Sequence, residues 1–282
     1  MESNPQIQWS KPAAWRGARA ALANHWPEYF AEAANLGLFM ISACVFTTLL
    51  GHPASALHQA IDSPFLRLAI AGLAMGLTAI GIVYSPLGQR SGAHMNPSVT
   101  LTYLSLGKLR AWDAAFYVLF QFFGGAAGVA LMALVIGPPL GHMSVNYAVT
   151  EPGPAGWLAA LAAEFAISLF LMLILLAVTN RKEWAPWTPL IAGLLVAAYI
   201  AFEAPVSGMS MNPARSLGSA LVAGEWKALW IYFVGPPLGM LLAGQLFRMR
   251  RGLQNVFCAK LHHHNSQRCI FNCNYGAIHE RG

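Results

Sequence analysis

The chain has 282 residues, of which only 10% are charged, while 56% belong to the set AVILMFWYC. A soluble domain carries about 25% charged residues, so this much apolar surface excludes a single soluble core. The low polarity excludes a disordered chain, and four cysteines exclude a disulfide scaffold. The class is a polytopic membrane protein. Its net charge of +6 need not mean a nucleic-acid partner, and none is expected, because the cytoplasmic loops of such proteins collect Lys and Arg.

The first 27 residues are polar and lack the apolar stretch of a signal peptide. They read as a cytoplasmic tail. A spanning helix needs roughly 20 largely apolar residues. Six segments meet that need: 29–50, 68–89, 114–136, 153–180, 184–202 and 228–247. Two apolar segments, 97–106 and 213–222, are too short to cross and read as re-entrant half-helices. Such backbone is tolerated at membrane depth only when it is buried in protein or lines a wet cavity. Most of the 17 basic residues fall on the side of the two termini, which places both termini in the cytoplasm.

The chain repeats itself. AEAANLGLF (31–39) recurs as AEFAISLF (163–170), and SGAHMNPSVT (91–100) recurs as SGMSMNPARS (207–216). Each copy holds three spans, with its Asn-Pro segment between the second and third. An odd number of spans inverts the second copy, as in many transport folds whose sites lie at the repeat interface. Asparagine is a good N-cap and proline suits the first helical turn. Asn96-Pro97 and Asn212-Pro213 therefore open two short helices whose N-termini meet near mid-membrane. Each end carries roughly half a positive charge, and together they repel cations. The asparagine amides can donate to a passing oxygen.

On these two boxes the chain resembles the aquaporin, or major intrinsic protein, family over about 28–248. The resemblance implies an all-α membrane protein with six transmembrane helices and two re-entrant half-helices in an inverted repeat. It implies a homotetramer in the cell membrane, plasma or inner, with a pore in each monomer. Members pass water or small uncharged solutes and block protons, without catalysis, cofactor or metal. The expected organisation is a tail (1–27), a channel domain (28–250, with repeats at 28–137 and 157–248) and a C-terminal tail (251–282), possibly disordered.

The pore signature maps to Asn96, Pro97 and Ser98, and to Asn212, Pro213 and Ala214. Ser98 departs from the family's usual alanine. By alignment, the selectivity filter is Met75, Ile200, Met209 and Arg215. Met75 stands where both water and glycerol channels carry an aromatic residue. Ile200 stands where water channels carry histidine. The resulting gap is apolar and flexible. Ser216, Ala220 and the Tyr232-Phe233 pair instead match water channels. The reading is a passive channel for water and some small neutral solutes. The alternatives are a glycerol facilitator with water secondary, a closed structural membrane protein, and a proton-coupled transporter using Glu32 and Glu164.

Intramembrane carboxylates are functional candidates. The matched positions of Glu32 and Glu164 in the two repeats point instead to bracing of the re-entrant loops, with His94 packing beside the first. The C-terminal tail holds Cys258, His262, His263, His264, Cys269, Cys273 and His279. Its spacing matches no standard C-x-x-C zinc pair, so the tail reads as disordered or docked on a partner, without metal.

Overall fold

The computed structural model describes residues 17–278. Lys11, Arg16, His279 and Arg281, used in the charge and tail readings, lie outside the described residues. Ten α-helices follow in chain order among those residues: α1 (Ala18–Gly51), α2 (Ala56–Ala60), α3 (Pro64–Tyr84), α4 (Pro86–Ser91), α5 (Pro97–Ser105), α6 (Ala111–Ile136), α7 (Gly156–Thr179), α8 (Thr188–Ser207), α9 (Pro213–Ala223) and α10 (Trp230–Arg251). Six helical segments, those of α1, α3, α6, α7, α8 and α10, are long and apolar enough to cross a membrane. The remaining two apolar segments form the half-helices α5 and α9, as their length requires.

Helix ends differ from the sequence reading where polar residues extend a helix beyond the bilayer. Helix α1 begins eleven residues earlier than expected, at Ala18, and contains Pro27. Helix α8 runs past Glu203 to Ser207. Sequence reasoning ended that span at Phe202 because a charge follows. The helix actually stops at Gly208, whose φ of +79° gives a left-handed C-cap. Helix α10 ends on Arg248, Arg250 and Arg251, cations that suit the negative end of the helix dipole.

Within each repeat the first and third spans pack together, α1 on α6 and α7 on α10. Helices α3 and α8 pair across the repeat interface. Each half-helix crosses over to the other repeat, α5 against α10 and α9 against α6. Lipid offers no hydrophobic drive between helices, so small residues that allow close backbone approach hold such bundles together. At Gly124 of α6 an added Cβ would sit 2.0 Å from the Ala33 carbonyl oxygen of α1. Gly124→Val is therefore expected to destabilise the protein by about 3 kcal/mol. The measurement is the apparent Tm in detergent by size-exclusion chromatography, and an unchanged Tm would contradict the packing argument.

The first turns of α1 and the 252–278 segment lie at one end of the bundle, where Arg268 pairs with Glu28 of α1 at 2.8 Å. Residues 85–92 lie at that same end, since Arg90 also pairs with Glu28 and the Leu261 N–H donates to the Gly92 carbonyl. The loop before α9 lies beside the 138–155 connection, where the Gly153 N–H donates to the Val206 carbonyl at 2.9 Å. The half-helices thus enter from opposite ends.

The expectation of a disordered C-terminal tail is corrected. Residues 252–278 fold back on the bundle and bury Val256, Phe257, Cys258, Ala259, Leu261, Phe271 and Ile278. That apolar surface drives the docking. Backbone hydrogen bonds fix it, from Leu261 to Gly92, from Asn272 to Lys108 and from Asn274 to Phe257.

Candidate functional site

The two half-helices start as the Asn-Pro pairs predict. The Asn96 side-chain oxygen accepts from the Ser98 N–H at 2.8 Å. That of Asn212 accepts from Ala214 at 3.0 Å and Arg215 at 3.2 Å. Pro97 and Pro213 occupy the first turn of each helix. The amide groups do more than the sequence suggested. Asn96 Nδ2 donates to the Met211 carbonyl and Asn212 Nδ2 to the Met95 carbonyl, each at 2.7 Å. The two boxes are thereby tied reciprocally. An amide nitrogen has two protons, so one N–H of each asparagine remains for the cavity that both residues line.

The loops ahead of the half-helices carry matched backbone strain. Gly92, Ala93 and Met95 in the first box have φ of 90°, 57° and 51°, and Gly208, Met209 and Met211 in the second have 79°, 48° and 54°. Non-glycine residues in this region persist only when their surroundings hold them. Glu32 and Glu164 supply that hold. Glu32 Oε1 accepts from the Met95 N–H, and from Gln121 Nε2 at 2.9 Å. Glu164 accepts from Ser207 Oγ at 2.7 Å, the Ser210 N–H at 2.6 Å and the Met211 N–H at 2.7 Å.

A second matched pair escaped the sequence reading. Tyr117 of α6 donates to the Ser91 carbonyl and Tyr232 of α10 to the Ser207 carbonyl, each at 2.6 Å. Both tyrosines follow their Asn-Pro box at nearly the same separation, the one signal that could have revealed them. The sequence marks Tyr232 only as a match to water channels. His94 is 3% exposed, bonds to Thr100 Oγ1 at 3.1 Å and to the Ala259 carbonyl at 2.8 Å, and stacks on Tyr103 and Phe271. Ser98 is fully buried, and its hydroxyl has no hydrogen-bond partner among the described residues.

One cavity of about 730 Å³ runs through this region. Its lining brings together Met75, Ile200, Met209 and Arg215, and continues past Asn96 and Asn212. The close crossing of α3 and α8 explains two of these positions. A Cβ on Gly72, one turn before Met75, would lie 2.4 Å from the Ala197 carbonyl and 3.4 Å from Ile200. Arg215 Nη1 donates to the Ala148 carbonyl at 2.8 Å, and no carboxylate lies within 4.0 Å of it among the described residues. Residues 146–148 all have positive φ. Arg215 is therefore anchored by a backbone carbonyl and keeps its charge at the cavity wall.

A conduit lined mostly by apolar side chains, with the paired amides and Arg215 at its wall, inside six spanning helices, defines a membrane channel. The family model for the major intrinsic protein matches residues 20–247. The chain belongs to the major intrinsic protein family. It is an integral membrane protein and a passive channel for water and small solutes. It is 32% identical over 185 residues to Aquaporin Z of Rhodopseudomonas palustris, covering 63% of this chain and 77% of that one. With Aquaporin-8 of Mus musculus it shares 35% over 196 residues, covering 68% and 74%. With Aquaporin NIP1-2 of Oryza sativa the identity is 35%, over 62% of this chain and 58% of that relative's length. Among solved structures, the aquaglyceroporin from Plasmodium falciparum superposes with a TM-score of 0.67 at 18% identity, over 80% of this chain and 96% of that one. That likeness is one of fold.

Proposed function

We propose that the chain conducts water together with small uncharged solutes, glycerol among them, through a filter formed by Met75, Ile200, Met209 and Arg215. The observation that carries this reading is their convergence on one continuous cavity. Two thioethers and an aliphatic side chain offer solutes a soft, apolar wall, and methionine adapts its shape. Arg215 supplies the donor and the charge that repels cations. The N-termini of α5 and α9, each with roughly half a positive charge, repel protons at mid-membrane. Glu32 and Glu164 act as braces in this reading, with no proton relay. The resemblance to the family supports a homotetramer, and the bias of Lys and Arg supports cytoplasmic termini.

The test is a hyperosmotic glycerol jump on reconstituted vesicles, followed by stopped-flow light scattering. The expected trace is rapid shrinkage from water efflux, then reswelling faster than protein-free vesicles as glycerol enters. Rapid shrinkage with reswelling at the rate of bare lipid would overturn the solute part of the proposal. Shrinkage at the bare-lipid rate would overturn the channel reading.

A further inference from the structure

The docked tail brings together four side chains that do not line the pore cavity. Cys258, His263, Cys269 and Cys273 present their ligand atoms within 4.8 Å of one another. Cys258 Sγ is 3.5 Å from Cys269 Sγ, and His263 Nε2 is 3.1 Å from Cys273 Sγ. Tetrahedral zinc, with bonds of about 2.3 Å to sulfur and about 2.0 Å to nitrogen, sets ligand atoms about 3.5–3.8 Å apart. The contacts of 3.1 and 3.5 Å and the 4.8 Å limit bracket that spacing. All four cysteines of the chain are free thiols, so no disulfide competes for these three.

We propose that Cys258, His263, Cys269 and Cys273 form a structural zinc site that fastens the C-terminal tail across the terminal end of the pore. Three thiolates and an imidazole suit zinc, whereas hard cations such as magnesium and calcium take oxygen ligands. A closed set of four protein ligands marks a structural site rather than a catalytic one.

The surroundings fit the ion. The Lys260 N–H points to Cys258 Sγ at 3.5 Å, a support typical of bound thiolate. His263 stacks on Tyr275 with centroids 4.2 Å apart, which fixes the plane of its ring. Lys260 itself is 2% exposed and has no carboxylate within 4.0 Å among the described residues. A buried ammonium is costly without a balancing charge. Three thiolates on one divalent ion carry a net negative charge and supply that balance.

The site matters to the channel through the chain it holds. Leu261, between two ligands in sequence, lines the pore cavity. The Ala259 carbonyl accepts from His94 Nε2 at 2.8 Å, and Phe271 stacks on the same ring at 5.4 Å. Binding closes the 258–273 segment into a compact unit and so fixes this end of the pore. The site is independent of the filter reading, and its test does not measure solute flow.

The experiment uses the full-length protein, purified in detergent without chelator. Metal content by inductively coupled plasma mass spectrometry is expected to show about one zinc per chain. The double variant C269S/C273S is expected to lose it. In parallel, a zinc chelator is expected to make tryptic cleavage at Lys260 and Arg268 about tenfold faster, since cleavage follows local opening. Added zinc chloride is expected to restore protection on the same sample, which separates metal loss from a folding defect of the variant. Absence of zinc even after incubation with zinc chloride would overturn the proposal. So would zinc retained by the double variant, cleavage indifferent to the chelator, or a metal-free Cys258–Cys269 disulfide in the intact mass.

Discussion

Glu164→Ala is expected to lower stability by about 3–5 kcal/mol, and most of the protein should fail to reach a monodisperse folded state. The carboxylate accepts three hydrogen bonds, from Ser207 Oγ, Ser210 N–H and Met211 N–H, and it is fully buried. Removing it leaves those donors unpaired, at about 1–3 kcal/mol each. The loss also frees a loop in which Gly208, Met209 and Met211 hold left-handed backbone. That conformation is costly and depends on its anchors. The measurement is the fraction of monodisperse protein and its apparent Tm, with Glu32→Ala as the matched variant of the other repeat. Glu164→Gln separates bracing from proton relay. A relay predicts a folded protein whose uptake loses its response to a pH gradient. A brace predicts a lower Tm and no pH-gradient response in either protein. A Glu164→Ala protein that unfolds at the wild-type temperature would end the bracing account.

The second large effect concerns the filter. The double variant M75F/I200H is expected to reduce glycerol reswelling by about tenfold, the change given by about 1.4 kcal/mol in barrier height. Water-driven shrinkage should stay within about twofold. A phenyl ring replaces a thioether with three rotatable bonds, so the gap loses its ability to widen around a carbon skeleton. The imidazole adds a polar partner that water can use. The positions face a common cavity because α3 and α8 cross closely at Gly72 and Gly76. The variant keeps both glycines, so its packing should survive. Glycerol flux equal to wild type in a folded double variant would show that these positions do not set the gap.

Much of the architecture is legible in the sequence. The scarcity of charge over about 20 residues at a time marks spans, because hydrocarbon penalises charge strongly. The Asn-Pro pairs mark half-helix starts, because capping is a local interaction within a few residues. Charge was a poorer guide to the ends. Glu203 did not stop α8, since a helix ends where its backbone turns, at Gly208, rather than where its first charge appears.

Other features depend on chain segments that meet only after folding. The sequence offered the amides of Asn96 and Asn212 to a passing solute. The fold commits one proton of each to the opposite box, because the inverted halves bring Met95 and Met211 into reach. Tyr117 and Tyr232 gain their partners only when the third span of each repeat packs beside its loop. The tail shows the same limit most plainly. Its cysteine and histidine spacing matches no familiar metal pattern, which leaves a tail that is disordered or docked on a partner. The ligand atoms converge because apolar residues between them bury against the bundle and turn the chain back on itself. The sequence by itself determined the number of spans, the inverted repeat and the two capped half-helices, since each is written in short-range polarity and local hydrogen bonding. The tertiary structure decided the crossed amides, the tyrosine braces, the shared cavity and the folded tail, since each joins groups that only long-range packing brings together.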